Sequence, residues 1–233
     1  MKKRAVAIIP ARGGSKRIPG KNTKLFCGQP ILFYSIKAAI ESNCFQEVMV
    51  STDSEEIAQL AKTKGASIPF KRSAETADDF ATTIDVVLEV LKSYAAIGKE
   101  FDFFACIYST APFVSGKKLA TAMHLLEEQE VDSVIPITQY SFPPQRSFGI
   151  ENGFVKYKWP ENMLKRSQDL QPIYHDAGQF YCGKVESFMK QKKLVMEKTL
   201  PIILSPLEVQ DIDQMEDWIL AEVKYRISLG EFL

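Results

Sequence analysis

The stretch Ala5–Asn22, AVAIIPARGGSKRIPGKN, constrains this chain more than any other. Ala5–Ile9 is a continuous apolar run closed by Pro10, the pattern of a strand buried on both faces of a parallel sheet. The strand runs straight into a loop with three glycines and four cations. Gly13, Gly14 and Gly20 let the backbone approach a ligand and turn with positive φ. Backbone N–H groups there, with Arg12, Lys16 and Lys21, suit the oxygens of a polyphosphate. Arginine grips such oxygens bidentately, and lysine acts as a point charge. The loop is neither a GxGxxG turn nor a Walker A motif. Its nearest match to the latter, Ser15–Asn22, has Ser for the first glycine and ends in Asn. A solvated basic loop is the plain alternative. The coincidence of glycines and cations at a strand end favours the phosphate reading, because open α/β sheets bind ligands beyond the carboxyl ends of their strands.

Strand and helix signals then alternate. Pro30 reads as the start of a helix through Ile31, Tyr34, Ser35, Ala38 and Ala39. Glu47–Ser51 is a strand, and Ser54 caps a helix that aligns Ile57, Leu60 and Ala61. Thr82–Ala96 is a helix, Phe101–Tyr108 a central strand, Lys117–Glu128 a helix and Ser133–Ile137 a strand. The pattern predicts a doubly wound α/β fold, with a mostly parallel sheet flanked by helices, in a single domain spanning 1–233. It breaks over 138–176, which is rich in Pro, Gln and aromatics, with a hairpin expected at Gly149–Lys158 around Asn152-Gly153. This insertion reads either as an arm for oligomer contact or as a surface excursion. Strands at Gln179–Cys182 and Pro201–Leu204 and a last helix complete the chain.

Composition narrows the partners. With 29 acidic and 29 basic residues there is no basic excess, which argues against a nucleic-acid binder. The cations concentrate early instead, at Lys2, Lys3, Arg4, Arg12, Lys16, Arg17, Lys21 and Lys24. Cys27, Cys44, Cys106 and Cys182 have no CxxC spacing, so neither zinc nor a redox pair is suggested. Thiols of a reducing cytoplasm are the expectation. The basic start is followed by too short an apolar run for an export signal, and no stretch is long enough to span a membrane.

Two further motifs carry chemistry. In Asp211-Ile212-Asp213 an extended backbone would turn both carboxylates to one side, a pair suited to Mg²⁺. Equally, Asp213-Gln214-Met215-Glu216 fits a capping box opening the helix of Trp218, Ile219, Val223 and Ile227. Of the two histidines, His124 lies within a helix and reads as structural. His175 reads either as a packed or surface residue or as a substrate contact. No serine sits on a nucleophile elbow.

The run Ile9-Pro10-Ala11-Arg12-x-x-Ser15-Lys16-Arg17-x-Pro19-x-Lys21-Asn22 resembles the signature of the CMP-nonulosonate synthetases, cytidylyltransferases that activate sialic-acid-like sugars. The resemblance extends over nearly the whole chain. It implies attack by the anomeric hydroxyl of a nine-carbon keto-sugar acid on the α-phosphate of CTP, with release of pyrophosphate. Catalysis would then rest on positioning and charge neutralisation. By this resemblance Ala11, Arg12, Gly13, Gly14, Ser15, Lys16, Lys21 and Asn22 border the nucleotide, Arg12 and Lys21 contacting the triphosphate and Asn22 reaching toward the ribose. Lys71–Asp79 is similar to the second nucleotide motif, placing Arg72, Ala81 and Thr83 near the cytidine; Thr82 and Thr83 also fit a plain helix start. The final motif tips Asp211 and Asp213 toward Mg²⁺, with Asp211 among the catalytic residues.

The sugar side departs from the sialic branch. Ile107-Tyr108-Ser109-Thr110-Ala111-Pro112 stands where that branch has Leu-Gln-Pro-Thr-Ser-Pro, so Tyr108 replaces a sugar-facing glutamine. Asp176-Ala177-Gly178-Gln179-Phe180-Tyr181 replaces Asn-Gly-Ala-Ile-Tyr, which points to the pseudaminic branch and to Asp176, Gln179 and Tyr181 as sugar contacts. Arg166 aligns with an arginine that pairs with the sugar carboxylate and Arg146 with a nearby lysine; both also read as exposed residues of the insertion. N-acetylneuraminate, legionaminate or 3-deoxy-manno-octulosonate are rival substrates, and a non-catalytic nucleotide-binding regulator is the rival of another class. A homodimer is the family expectation.

Overall fold

A computed structural model describes residues 4–231; Lys2 and Lys3 of the basic cluster lie outside them, as do the extreme ends of the expected 1–233 domain. In chain order the elements begin with β1 (Ala5–Pro10), the short pair β2 (Leu25–Phe26) and β3 (Gln29–Pro30), α1 (Leu32–Glu41), β4 (Glu47–Ser51) and α2 (Glu55–Thr63). Next come α3 (Ala74–Ala77), α4 (Thr83–Ala96), β5 (Phe103–Ile107), α5 (Gly116–Glu128) and β6 (Ser133–Gln139). The arm carries β7 (Phe148–Glu151), β8 (Phe154–Tyr157) and β9 (Tyr174–Asp176). The chain ends with β10 (Phe180–Lys184), α6 (Val185–Gln191), β11 (Thr199–Leu204) and α7 (Met215–Ser228).

The main sheet has the order β11-β6-β10-β5-β1-β4, with β9 paired to β6. β1 pairs in parallel with β4 and β5, and β11 with β6. The sheet is nevertheless mixed. β10 runs antiparallel between β5 and β6, and β9 is antiparallel to β6. Helices cover both faces because the strands alternate. Ala5, Ala7, Ile9, Phe103 and Ile107 pack on Leu32, Ile36, Leu119 and Leu126 of α1 and α5. Val6, Ile8, Phe104 and Cys106 face Val87, Val90, Tyr94 and Phe188 of α4 and α6. At about 25 cal/mol per Å² of apolar surface removed from water, this two-sided burial is the main term holding the sheet.

Several boundaries shift. Pro30 pairs in β3 with Leu25, and α1 begins two residues later at Leu32. Proline needs no ladder N–H in so short an edge pair, so the ribbon replaces the expected first helical turn. The expected hairpin forms as β7–β8, and Asn152 and Gly153 both take positive φ, +52° and +81°. The four cysteines form no disulfide, and no helix among the described residues is long and apolar enough to cross a membrane.

Candidate active site

The site lies at the carboxyl ends of β1, β4 and β5, where the phosphate-type loop leaves β1. Remote partners shape that loop. The Gly13 N–H donates to Asp53 Oδ1 (2.9 Å), and a Cβ on Gly13 would lie 3.0 Å from the Ser54 Cβ, so the close approach requires glycine. Gly20 turns the chain with φ +61°. Asn22, buried, donates to the Arg12 carbonyl (2.9 Å) and ties the two ends of the loop together.

A cavity of about 480 Å³ opens beside this loop. Arg12, Ser15, Lys16, Arg17, Lys21 and Asn22 line one wall; Arg72, Asp78, Asp79, Ala81, Thr82 and Thr83 line another; Tyr108, Ser109, Thr110 and Asp213 complete it. The cations are already paired with protein acceptors. Arg12 donates to the Asp78 carbonyl (2.9 Å) and to Asp79 (2.8 Å), and Lys16 also reaches Asp79. These bonds from Lys16 and Arg12 hold the Asp79 carboxyl below its usual range. Arg17 pairs with Asp213 at 2.8 Å. Arg72 is buried with its Nε unpartnered, a donor left for a ligand acceptor. Thr82 caps α4 through a capping box with Asp85, as its helix-start reading had it; Thr83 is the first helical residue and faces the Tyr108 hydroxyl at 3.4 Å.

A second cavity, of about 560 Å³, adjoins the first at Tyr108. Tyr108, Thr138, Ser141, His175, Asp176, Tyr181, Gln210, Asp211 and Lys224 line it. The antiparallel course of β10 matters here, because the amino end of that strand meets the carboxyl ends of β5 and β6. Tyr181 donates to Asp176 Oδ2 (2.7 Å), and its ring sits 5.5 Å from that of Tyr108. Burial, with Tyr108 and Asp176 nearby, pushes the Tyr181 phenol well above its normal range, so it remains a donor. His175 leans on Tyr140 with ring centroids 4.6 Å apart and pairs with the Asp176 carbonyl.

Asp211 and Asp213 stand at the junction, Asp211 in the second cavity and Asp213 in the first. Between them Ile212 is buried in an apolar cluster with Ile18, Phe26, Ile31, Phe113 and Trp218. That cluster pins the acidic pair to the cationic loop, since Ile18 belongs to the loop and Ile212 to the pair. Lys21 donates to the Ile212 carbonyl. Burial lowers the Lys21 pKa, with Asp213 and Asp211 opposing. Burial and then Asp213 raise that of Asp211. Gly178, at φ +62°, passes close by; a Cβ there would be 3.8 Å from the Asp211 Cγ. The capping box of α7 uses Gln214 and Asp217 rather than Asp213 and Glu216, which leaves the Asp213 carboxylate free of that role. Among the described residues no group of three or more His, Cys, Asp or Glu gathers as a complete metal cage. Two adjacent carboxylates whose charges oppose each other still fit Mg²⁺, which takes one or two carboxylates and completes its shell with phosphates and water.

Other expected contacts lie elsewhere. Ala11 is fully buried in the core cluster, and neither it nor Gly13 and Gly14 lines the cavity. Gln179 is buried and donates to the Glu208 carbonyl (2.6 Å), because its side chain points away from the cavity that Asp176 and Tyr181 line. Arg146 and Arg166 remain in the arm, bound to Ser167 (3.2 Å) and Asp169 (2.8 Å), and line neither cavity. Sequence reasoning did not single out Asp79 as a partner of the cations, nor Arg17 or Lys224. Arg17 lay within the quoted motif, whereas nothing in the sequence marks Lys224, which α7 packing alone brings to the site.

An open α/β sheet with a cation-rich first loop, a buried arginine with a free donor and an acidic pair at a two-cavity junction defines a nucleotide-handling transferase architecture. The chain belongs to the cytidylyltransferase family, whose model matches residues 6–221. It is 35% identical over 224 residues to the pseudaminic acid cytidylyltransferase of Campylobacter jejuni subsp. jejuni serotype O:2, covering 96% of this chain and 97% of that one. It is 36% identical over 230 residues to the CMP-N,N'-diacetyllegionaminic acid synthase of Legionella pneumophila, covering 94% and 95%. The fold matches that of a CMP:2-keto-3-deoxy-manno-octonic acid synthetase solved with CTP, with a TM-score of 0.67 at 16% identity over 97% of this chain and 99% of that one.

Proposed function

We propose that this protein transfers CMP from CTP to the anomeric hydroxyl of a nonulosonic acid, with pseudaminic acid as the foremost substrate. The observation that carries the reading is the meeting of a cation-lined cavity with a polar, sugar-sized one at Tyr108, with Asp211 and Asp213 at their border. The names of the relatives at 35% and 36% identity supply the sugar class. In the reaction the hydroxyl oxygen releases its proton to solvent and forms a bond to the α-phosphorus, the bond to the bridging oxygen of the β-phosphate breaks, and pyrophosphate leaves with that electron pair. Arg12, Lys16 and Lys21 neutralise the triphosphate, Arg72 offers its Nε–H to the nucleotide, and Tyr108 divides nucleotide from sugar. Mg²⁺ held by Asp211 and Asp213 would supply charge neutralisation at the phosphates.

The arm fits a homodimer contact, because its hairpin exposes Phe148, Ile150 and Val155 on one face. Four unbridged thiols suit a cytoplasmic setting. The test is pyrophosphate release from CTP, with and without Mg²⁺, against pseudaminic, legionaminic, N-acetylneuraminic and 3-deoxy-manno-octulosonic acids. Turnover is expected with pseudaminic acid, only with Mg²⁺. Preference for another acid reassigns the substrate, and no release with any of them overturns the transferase reading.

A further inference from the structure

Arg72 lines the first cavity with an unpartnered Nε–H, yet the segment that follows it has no apolar anchor. α3 is a single turn, Ala74–Ala77, and none of its residues is buried. A helix that short does not hold itself in water. Polar ties fix the segment instead. At its start the Arg72 N–H donates to the Thr52 carbonyl (3.0 Å) just beyond β4. At the turn itself Glu89 of α4 takes two bonds, one carboxylate oxygen accepting from the Ser73 N–H (2.9 Å) and the other from the Thr76 hydroxyl. Thr76 thereby works in two directions. Its hydroxyl goes to Glu89, and its carbonyl accepts from Arg72 Nη2, which leaves the Nε–H of that guanidinium free. Glu89 itself stands on a firmly held helix, because Val86, Val87 and Val90 of α4 are buried and Thr82 with Asp85 caps its start. Glu89 lines neither cavity. Burial lowers the Arg72 pKa, and Asp53 and Glu89 oppose that shift, so the carboxylate also favours the charged guanidinium.

We propose that Glu89 is a positioning residue for the nucleotide: through Thr76 it sets the aim of the Arg72 guanidinium. This rests on the transferase reading above. The test is a double-mutant cycle on CTP affinity, measured by calorimetry without sugar, with Glu89→Ala, Arg72→Ala and the two combined. R72A should weaken CTP binding about 30-fold and E89A about tenfold. In the R72A background E89A should cost less than about twofold, since no guanidinium is left to aim. Thr76→Val removes the hydroxyl that Glu89 holds and keeps the carbonyl offered to Arg72. It should cost about threefold, again only while Arg72 is present. A merely structural role for Glu89 would loosen the whole wall and weaken CTP equally in both backgrounds. That result overturns the inference, as does an E89A protein with unchanged CTP affinity. If E89A does not fold, the cycle of T76V with R72A decides, and additive losses there overturn the inference. In each of these cases a wild type that binds CTP leaves the transferase reading intact. A wild type that binds no CTP overturns that reading and this inference together.

Discussion

Two cation-bearing segments behave in opposite ways. The loop at residues 11–24 is held by partners remote in sequence: Lys21 by Ile212, Arg17 by Asp213, Arg12 and Lys16 by Asp79, and Gly13 by Asp53. The arm at residues 140–173 is held largely by itself. Arg166 binds Asp169, Arg146 binds Ser167, Gln145 binds Gln171 and Lys156 binds Glu151, while Phe142, Ile150, Phe154 and Leu164 face outward. A cation bound across the sheet edge occupies a place the whole fold specifies. A cation bound three residues away occupies a place its own turn specifies. Charge alone therefore does not mark a site; the reach of its partners does.

The contrast is broken most severely at the acidic pair. Replacing Asp211 and Asp213 by Asn should reduce pyrophosphate release by about 10³-fold or more while the melting temperature moves only a few degrees. Normal turnover in that variant would remove the metal assignment. Next, Lys21→Ala should lower kcat/KM for CTP by about 100-fold, whereas Arg166→Ala should leave the KM for CTP within about twofold. Equal effects of the two would erase the distinction between loop and arm. On the arm, Ile150→Ser with Val155→Ser should convert a sedimenting dimer to monomer; a wild type that is already monomeric at micromolar concentration contradicts the dimer reading.

The smallest effect belongs to Asp79→Asn. It removes the carboxylate that occupies Arg12 and Lys16, and CTP should bind up to about fivefold tighter by calorimetry, the scale of an exposed ion pair. The folded Asp79 carboxyl is depressed, so its pairing persists above the unfolded value of about 3.9 and is lost only as pH falls through the lower folded one. The difference between the two proteins should thus be the same at pH 5 and pH 8. Weaker binding by the variant would show that Asp79 positions the cations rather than competing for them.

Local pattern explains what the sequence revealed and what it concealed. β1, α2, α4 and the β7–β8 turn follow from apolar periodicity, capping residues and Asn152-Gly153. The loop could be read because glycines and cations coincide at a strand end. The direction of β10 could not, since an apolar run such as Phe180–Cys182 has the same pattern run either way. The cap of α7 lay one residue beyond the expected one, because Gln214 with Asp217 serves the same geometry as Asp213 with Glu216. Arg146 and Arg166 satisfied a motif alignment, but position in a motif says nothing of which chain neighbours hold a side chain. Lys224 was hidden because a lysine on a helix surface has no local signature; only the packing of α7 beside Pro206 and Val209 gives it a neighbourhood.

The central place of β10 also bears on how the molecule is made. β5 and β6 are joined through α5 yet lie two strand spacings, about 10 Å, apart. The strand that closes this gap is synthesised about forty residues after β6 ends. Until it arrives, the nascent chain holds two open hydrogen-bonding edges facing one another, and a chain released before Phe180 would keep both. Such edges recruit other strands. Assembly should therefore be slow and late, since β10 and then β11 must both be added beside β6, and truncated products should aggregate rather than persist as a smaller folded core.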